Sequence, residues 1–268
     1  MQTQMWRELL IPYNQAVSEL VVKFESIANE NRQLGKYSPI EYVTGRVKKI
    51  SSILEKAKKK EIVLGNIEDE IEDIAGIRVI CQFVEDIDHV VELIRSRSDM
   101  EIKFEKDYIQ NTKQSGYRSY HIIVYYNVHT ALGHKRLQAE IQIRTLAMNF
   151  WATIEHSLLY KYGHNIPTSI RKRLIRAAEA AHMLDQEMSK IREEIIDAQD
   201  SFQYKSNIIA DILNNIQNIK KISDNSLEAE QIQEEFYRLW EEGDLDKLVV
   251  FNKRLDFIAE GHKVQSIQ

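Results

Sequence analysis

LQAEIQIR, residues 137–144, alternates throughout: Leu137, Ala139, Ile141 and Ile143 fall on one side of an extended chain, and Gln138, Glu140, Gln142 and Arg144 on the other. The pattern predicts a strand over residues 136–145 with one core face and one polar face. An antiparallel sheet with a solvated side has such a face, and so does a site lined with charged groups. The segments around it decide which applies.

Working outward, residues 118–128 form a second strand-like run, joined to the first by a turn around Gly133. Further runs lie at 101–105, at 76–83 and at 42–48. In 76–83, Ile77, Val79, Cys81 and Phe83 alternate against Arg78 and Gln82. Helices are predicted after the 42–48 strand to about Lys60, over 86–97, and near the N-terminus. There Trp6, Leu9, Leu10, Tyr13, Val17, Leu20, Val21, Phe24 and Ile27 recur at helical spacing. Pro12 is expected to begin or kink that helix, residues 29–35 to form a loop, and Ser38-Pro39-Ile40-Glu41 to offer a capped turn where a helix can start.

From Leu146 onward the pattern is helical: 146–162, 167 to about 204, 208–222, then a hairpin of 227–242 and 244–260 that Gly243 and Asp244 stop and restart. Residues 223–226, Ser-Asp-Asn-Ser, read as a hinge. The fold class is therefore α+β, a mixed sheet of about five strands flanked by helices, with an all-helical C-terminal part. Residues 1–34 are expected to form the N-terminal helix, 35–165 the catalytic domain, 166–204 a long helix at an oligomer interface, and 205–268 an acidic helical extension.

Composition narrows the function class. A chain of 268 residues with 43% apolar content can bury a core. The single cysteine, Cys81, has no partner for an intramolecular disulfide, and no window is apolar enough to span a membrane, so the expectation is a cytoplasmic protein without membrane contact. The net charge of −5 names no ligand, but residues 46–60 are basic apart from Glu55, which places any anionic ligand there.

Three further clusters bear on the polar face of residues 137–144. Arg46 and Lys48 point the same way on a strand, and Ser52 and Lys56 share a helix face. Together they suit a polyphosphate, although a solvated basic helix explains Lys58, Lys59 and Lys60 as well. Asp73, just before a strand that carries Arg78, is either a metal ligand beside a phosphate-binding cation or a turn cap paired with that arginine. In Lys113-Gln114-Ser115-Gly116-Tyr117-Arg118-Ser119-Tyr120-His121, a glycine allows close backbone approach, Tyr117 offers a face for a base, and Lys113, Arg118 and His121 supply cations. Ordinary aromatic packing is the alternative.

TGRVKKISSILEK (44–56), EDIAGIRVICQF (72–83), KQSGYRSYH (113–121) and EIQIRTLAMNFWATIEHSLLYKY (140–162) occur in the order and spacing of the RelA/SpoT synthetase domain. Roughly Met5 to Phe202 resembles the small alarmone synthetases of that family, RelQ type. The resemblance implies a nucleotidyltransferase-like fold and transfer of pyrophosphate from ATP to the 3′-hydroxyl of GDP or GTP, giving ppGpp or pppGpp and AMP.

It assigns Arg46, Lys48, Ser52, Lys56, Lys59 and Arg78 to ATP, and Lys113, Tyr117, His121, Gln142 and Asn149 to the guanine nucleotide, with Tyr117 stacking on the base. Asp73 and Glu140 become the Mg²⁺ ligands, and Glu140 also the base for the 3′-hydroxyl. It further implies a homotetramer, with pppGpp or single-stranded RNA as regulators. Long relatives degrade alarmones through a His-Asp dyad. No His here precedes an Asp, so synthesis without hydrolysis is expected. The alternative is a catalytically inactive regulator that keeps the fold and binds guanine nucleotide or RNA. Residues 203–268 continue beyond the resemblance and receive no chemistry.

Overall fold

In the computed structural model, which describes residues 2–162, 166–222 and 226–265, the strands are β1 (Tyr42–Val47), β2 (Ala75–Cys81), β3 (Glu101–Asp107), β4 (Tyr120–Thr130) and β5 (Gly133–Thr145). Their spatial order is β1-β2-β5-β4-β3. β2 and β5 run parallel, and every other neighbouring pair is antiparallel. The expected mixed five-stranded sheet is what forms, and β5 lies at its centre.

The helices of this part are α1 (Gln2–Gln33), α2 (Ile50–Lys59), α3 (Ile67–Glu70), α4 (Glu85–Arg95) and α5 (Leu146–Tyr162). Tyr13, Ala16, Leu20, Phe24 and Ala28 of α1 are buried in one core with Ile77, Val79, Ile122, Val124, Ala139, Ile141 and Ile143 of the sheet. Each large apolar side chain buried this way contributes about 1.5–3 kcal/mol. Gly45 is needed where α1 crosses β1, because a Cβ there would lie 2.5 Å from Val17 and 2.7 Å from Val21.

Several sequence expectations are corrected. Pro12 lies inside α1, which rules out the first of its two expected places, the start of the helix, and residues 29–33 are helical rather than loop. Burial of Tyr13, Ala16 and the residues beyond holds the helix together against proline's missing donor. No helix starts at Ser38, whose hydroxyl instead donates to the Ile40 carbonyl oxygen at 2.9 Å. β2 ends at Cys81, two residues short of the predicted strand.

The break expected near residue 204 is absent. α6 (Thr168–Ile222) is continuous, since nothing between Tyr204 and Ile208 removes a helical hydrogen bond. Of the predicted hinge, residues 223–225 lie outside the described residues, and Ser226 opens α7 (Ser226–Glu242). Among the described residues, no helix is long and apolar enough to cross a membrane.

The chain divides into two compact units, Met1–Lys190 and Ile191–Gln268. The second has its own core: Ile208, Ile212, Ile216 and Ile219 of α6, Ile232 and Phe236 of α7, and Leu248, Phe251 and Leu255 of α8 (Leu245–Gln265). The turn between α7 and α8 is the predicted one. Gly243 takes φ +73° and donates to the Trp240 carbonyl oxygen, and the Asp244 carboxylate accepts from the Lys247 amide.

α5 begins directly at the end of β5. Thr145 Oγ1 caps it by accepting the Met148 amide hydrogen at 3.0 Å, and donates to Asp185 Oδ2 at 2.7 Å. Burial, helped by Glu85, pushes the Asp185 carboxyl up to about 6, although Thr145 and Arg118 oppose it. A carboxyl raised in the folded state binds more protons there than in the unfolded chain. Its stabilisation is therefore full below about pH 4 and is lost as pH rises to about 6. Asp185→Asn, which keeps an acceptor for Thr145, is expected to stabilise the protein at pH 7 by up to about 3 kcal/mol. At pH 4 it should have almost no effect, and thermal melts at the two pH values measure the difference.

Candidate active site

The register brings the candidate side chains together on the polar face of β5. Arg46 of β1 lies opposite Gly76, Gly76 opposite Glu140, and Glu140 opposite Ile123. The next row on the same face is Thr44, Arg78, Gln142 and His121. Gly76 carries no side chain between Arg46 and Glu140, and a cavity of ≈ 240 Å³ opens there. It is lined by Thr44, Gly45, Arg46, Asp73, Gly76, Arg78, Glu140 and Gln142.

Asp73 precedes β2 and faces two cations of the β1–α2 segment. Lys48 Nζ lies 2.6 Å from Oδ2 and Lys56 Nζ 2.8 Å from Oδ1. Burial works against its charged form, but the hydrogen bonds and charge of the two lysines outweigh this and hold the carboxyl below the usual range. Arg78 is pulled below the usual guanidinium range first by burial, then by Arg144 and Arg46. His156 of α5 is lowered by burial and by the same cations, Arg46, Arg78, Lys48 and Arg144. The cavity wall is thus crowded with positive charge, which an anionic ligand relieves.

Glu140 belongs to a closed cycle of five hydrogen-bonded side chains. His121 Nδ1 lies 2.9 Å from Glu140 Oε1, and Gln142 Nε2 donates to Oε2 at 2.7 Å. The Tyr117 hydroxyl lies 2.8 Å from His121 Nε2. Arg144 Nη2 donates both to that hydroxyl, at 2.5 Å, and to Gln142 Oε1, at 2.7 Å. Guanidinium only donates, so the hydroxyl proton of Tyr117 is free for His121 Nε2, and the Nδ1 hydrogen then points at Glu140. Burial alone would raise the Glu140 carboxyl. The hydrogen bonds from His121 and from the Gln142 amide outweigh burial and the repulsion from Asp73, and hold it below the ordinary range.

Tyr117 follows Gly116, which takes φ +85° and whose Cβ, if present, would fall 2.5 Å from that of Ala178. Lys113 Nζ lies 4.8 Å from the Tyr117 ring centroid and 4.2 Å from that of Tyr108. Tyr108 meets both Tyr117 and His121 edge to face.

Residues 45–165 match the model of the region found in RelA / SpoT proteins. The chain is 53% identical over 205 residues to GTP pyrophosphokinase YjbM of Bacillus subtilis, covering 76% of this chain and 97% of that protein. It is 40% identical to GTP pyrophosphokinase YwaC of the same organism, covering 71% of this chain and 91% of that protein. It superposes with TM-score 0.69 on the crystal structure of the small alarmone synthetase 1 from Bacillus subtilis bound to its product pppGpp, with 54% identity over 72% of this chain and 98% of that one. The chain belongs to the RelA/SpoT family. Its fold and its identity to these proteins place it with the small alarmone synthetases, and about a quarter of its length has no counterpart in YjbM.

In this RelA/SpoT protein the structure gathers Arg46, Asp73, Arg78, Glu140 and Gln142 around one cavity, and ties Lys48 and Lys56 to it through Asp73. Lys113, Tyr117 and His121 form the adjoining aromatic cluster. Ser52 and Lys59 share α2 with Lys56 but do not line the cavity. Asn149 donates to the Tyr42 hydroxyl at 3.2 Å, and its buried side-chain oxygen has no partner.

Two site residues carried no assignment from sequence. Arg144 shares the polar face with Glu140 and Gln142, so its alternation signalled it. Tyr108 had no local signal, because its place follows from the β3–β4 pairing alone.

Proposed function

We propose that this chain synthesises (p)ppGpp in the cytoplasm, transferring the pyrophosphoryl group of ATP to the 3′-hydroxyl of GDP or GTP. One observation carries the reading. A single cavity joins the paired carboxylates Asp73 and Glu140 to the cations Arg46 and Arg78, and Glu140 is linked through His121 to the aromatic platform of Tyr117. Relatives with the same fold are named GTP pyrophosphokinases.

In this reading Arg46, Lys48, Lys56 and Arg78 bind ATP, with Ser52 and Lys59 of α2 at the edge of its polyphosphate, while Tyr117, Lys113, His121, Gln142 and Asn149 bind the guanine nucleotide. A bond forms between the 3′-oxygen and the β-phosphorus, the bond from that phosphorus to the α-phosphate oxygen breaks, and AMP leaves in line. Glu140 takes the hydroxyl proton. Its depressed pKa leaves it ionised at neutral pH, and His121 and Gln142 hold its orientation. Positioning of the two nucleotides supplies much of the remaining rate.

Asp73 and Glu140 fit a magnesium ion. Both offer oxygen donors to the cavity floored by Gly76, and no cluster of three or more His, Cys, Asp or Glu forms among the described residues, so phosphate oxygens and water would complete the shell. When bound, the ion offsets phosphate charge. Lys48 and Lys56, which pair with the Asp73 carboxylate, would then be free for phosphate oxygens.

The test is incubation with Mg²⁺, ATP and GDP or GTP, followed by nucleotide chromatography. The expected products are AMP and a guanosine tetra- or pentaphosphate, with no breakdown of added alarmone. Nucleotide binding without product would leave an inactive regulator as the better description.

A further inference from the structure

We propose that Arg144 is a positioning residue for the acceptor nucleotide, holding the Tyr117 ring and the Gln142 amide in the one arrangement that suits both the guanine base and Glu140. This rests on the proposed synthetase reading and extends it to a residue that does not line the cavity.

Arg144 is only 4% exposed. Its described partners are all neutral, namely the Ser119 and Tyr117 hydroxyls and the Gln142 carboxamide. A buried guanidinium without a carboxylate partner opposes folding, so its hydrogen-bond geometry is what it supplies. Nε donates to Ser119 Oγ at 3.2 Å. Ser119 is itself fully buried and donates to the Ile143 carbonyl oxygen, so the guanidinium is anchored to both β4 and β5 sides of the sheet.

From that anchor Nη2 reaches Tyr117 and Gln142 together. The guanidinium carbon lies 5.1 Å from the Tyr117 ring centroid, so the ring is held at its face as well as at its hydroxyl. The backbone leading into Tyr117 passes through Gly116 at φ +85°, a conformation that steers the turn but not the ring. Without Arg144 the phenol loses its fixed donor, and the Gln142 carboxamide can turn over to present oxygen to Glu140. Both losses fall on the guanine side of the cavity, and ATP contacts through Lys48 and Lys56 remain.

A double-mutant cycle with Tyr117→Phe, which keeps the ring and removes the hydroxyl, tests this. Arg144→Met is expected to raise the KM for GTP and the calorimetric Kd for GDP roughly tenfold, with the KM for ATP within about twofold of wild type. Tyr117→Phe should cost less in the Arg144→Met background than in wild type, because the hydrogen bond shared with Arg144 is already gone and only the one to His121 is left to lose. Arg144→Lys, which keeps the charge but not the planar fork, should recover part of the loss. If Arg144→Met does not fold, Arg144→Lys combined with Tyr117→Phe provides the same cycle.

Additive effects, an equal rise in both KM values, or unchanged guanine-nucleotide binding would overturn the proposal. If wild-type protein binds GDP but forms no product, the synthetase reading fails while the calorimetric cycle still decides the role of Arg144.

Discussion

Glu140→Gln is expected to lower kcat by about 10²- to 10⁴-fold, the range that a positioned carboxylate base provides. The substitution preserves size, so its cost falls on chemistry. The carboxylate now receives one donor on each oxygen, from His121 and from Gln142. A carboxamide has one acceptor and one donor end, so one of those two bonds meets a like partner and the cycle opens. AMP release at saturating ATP and GTP measures the effect, and turnover near the wild-type rate would remove Glu140 from the mechanism.

The same geometry predicts a pH dependence. As the proposed base Glu140 would act when ionised, and its carboxyl is held below the ordinary range despite burial, chiefly through His121. Activity governed by Glu140 is therefore kept down to pH values below the ordinary carboxylate range and lost as pH falls through its depressed pKa. Removing the imidazole with His121→Ala leaves burial dominant and raises the carboxyl, so the acid limb of kcat should move to higher pH.

Asp73→Asn is the second large effect, expected to cut kcat/KM for ATP by at least about 10²-fold and to raise the Mg²⁺ concentration for half-maximal activity. Two lysines, Lys48 and Lys56, converge on this carboxylate and have side chains only 16% and 28% exposed. Taking away the negative charge leaves them facing each other, which costs about 1–2 kcal/mol of stability once solvent screening is allowed for. The carboxyl is depressed in the folded state, so its contribution is present above the unfolded value near 3.8 and lost as pH falls through the lower folded value. Thermal melts of wild type and variant should therefore converge in strong acid. An unchanged Mg²⁺ requirement would place the metal elsewhere.

Much of this site is legible in the sequence, for a local reason. Strand alternation puts Glu140, Gln142 and Arg144 on one face, and helical spacing puts Ser52 beside Lys56. α5 occupies the predicted residues 146–162, and Gly243 with Asp244 makes the predicted turn. Sequence and structure part where packing outweighs propensity. Burial carries α1 through Pro12, and α6 continues past Tyr204 into a stretch whose isoleucines are buried in the second unit's core.

By itself the sequence determined which residues share a face, since a side chain's direction along a strand or helix depends only on its spacing. Tertiary structure alone decided which faces meet. The parallel pairing of β2 with β5 sets Gly76 against Glu140 and so opens the cavity, although 64 positions of chain separate the two residues. The cycle through Tyr117, His121, Glu140, Gln142 and Arg144 likewise needs β4 and β5 in register. Such contacts depend on which distant segments bury their apolar faces together, and no local pattern encodes that choice.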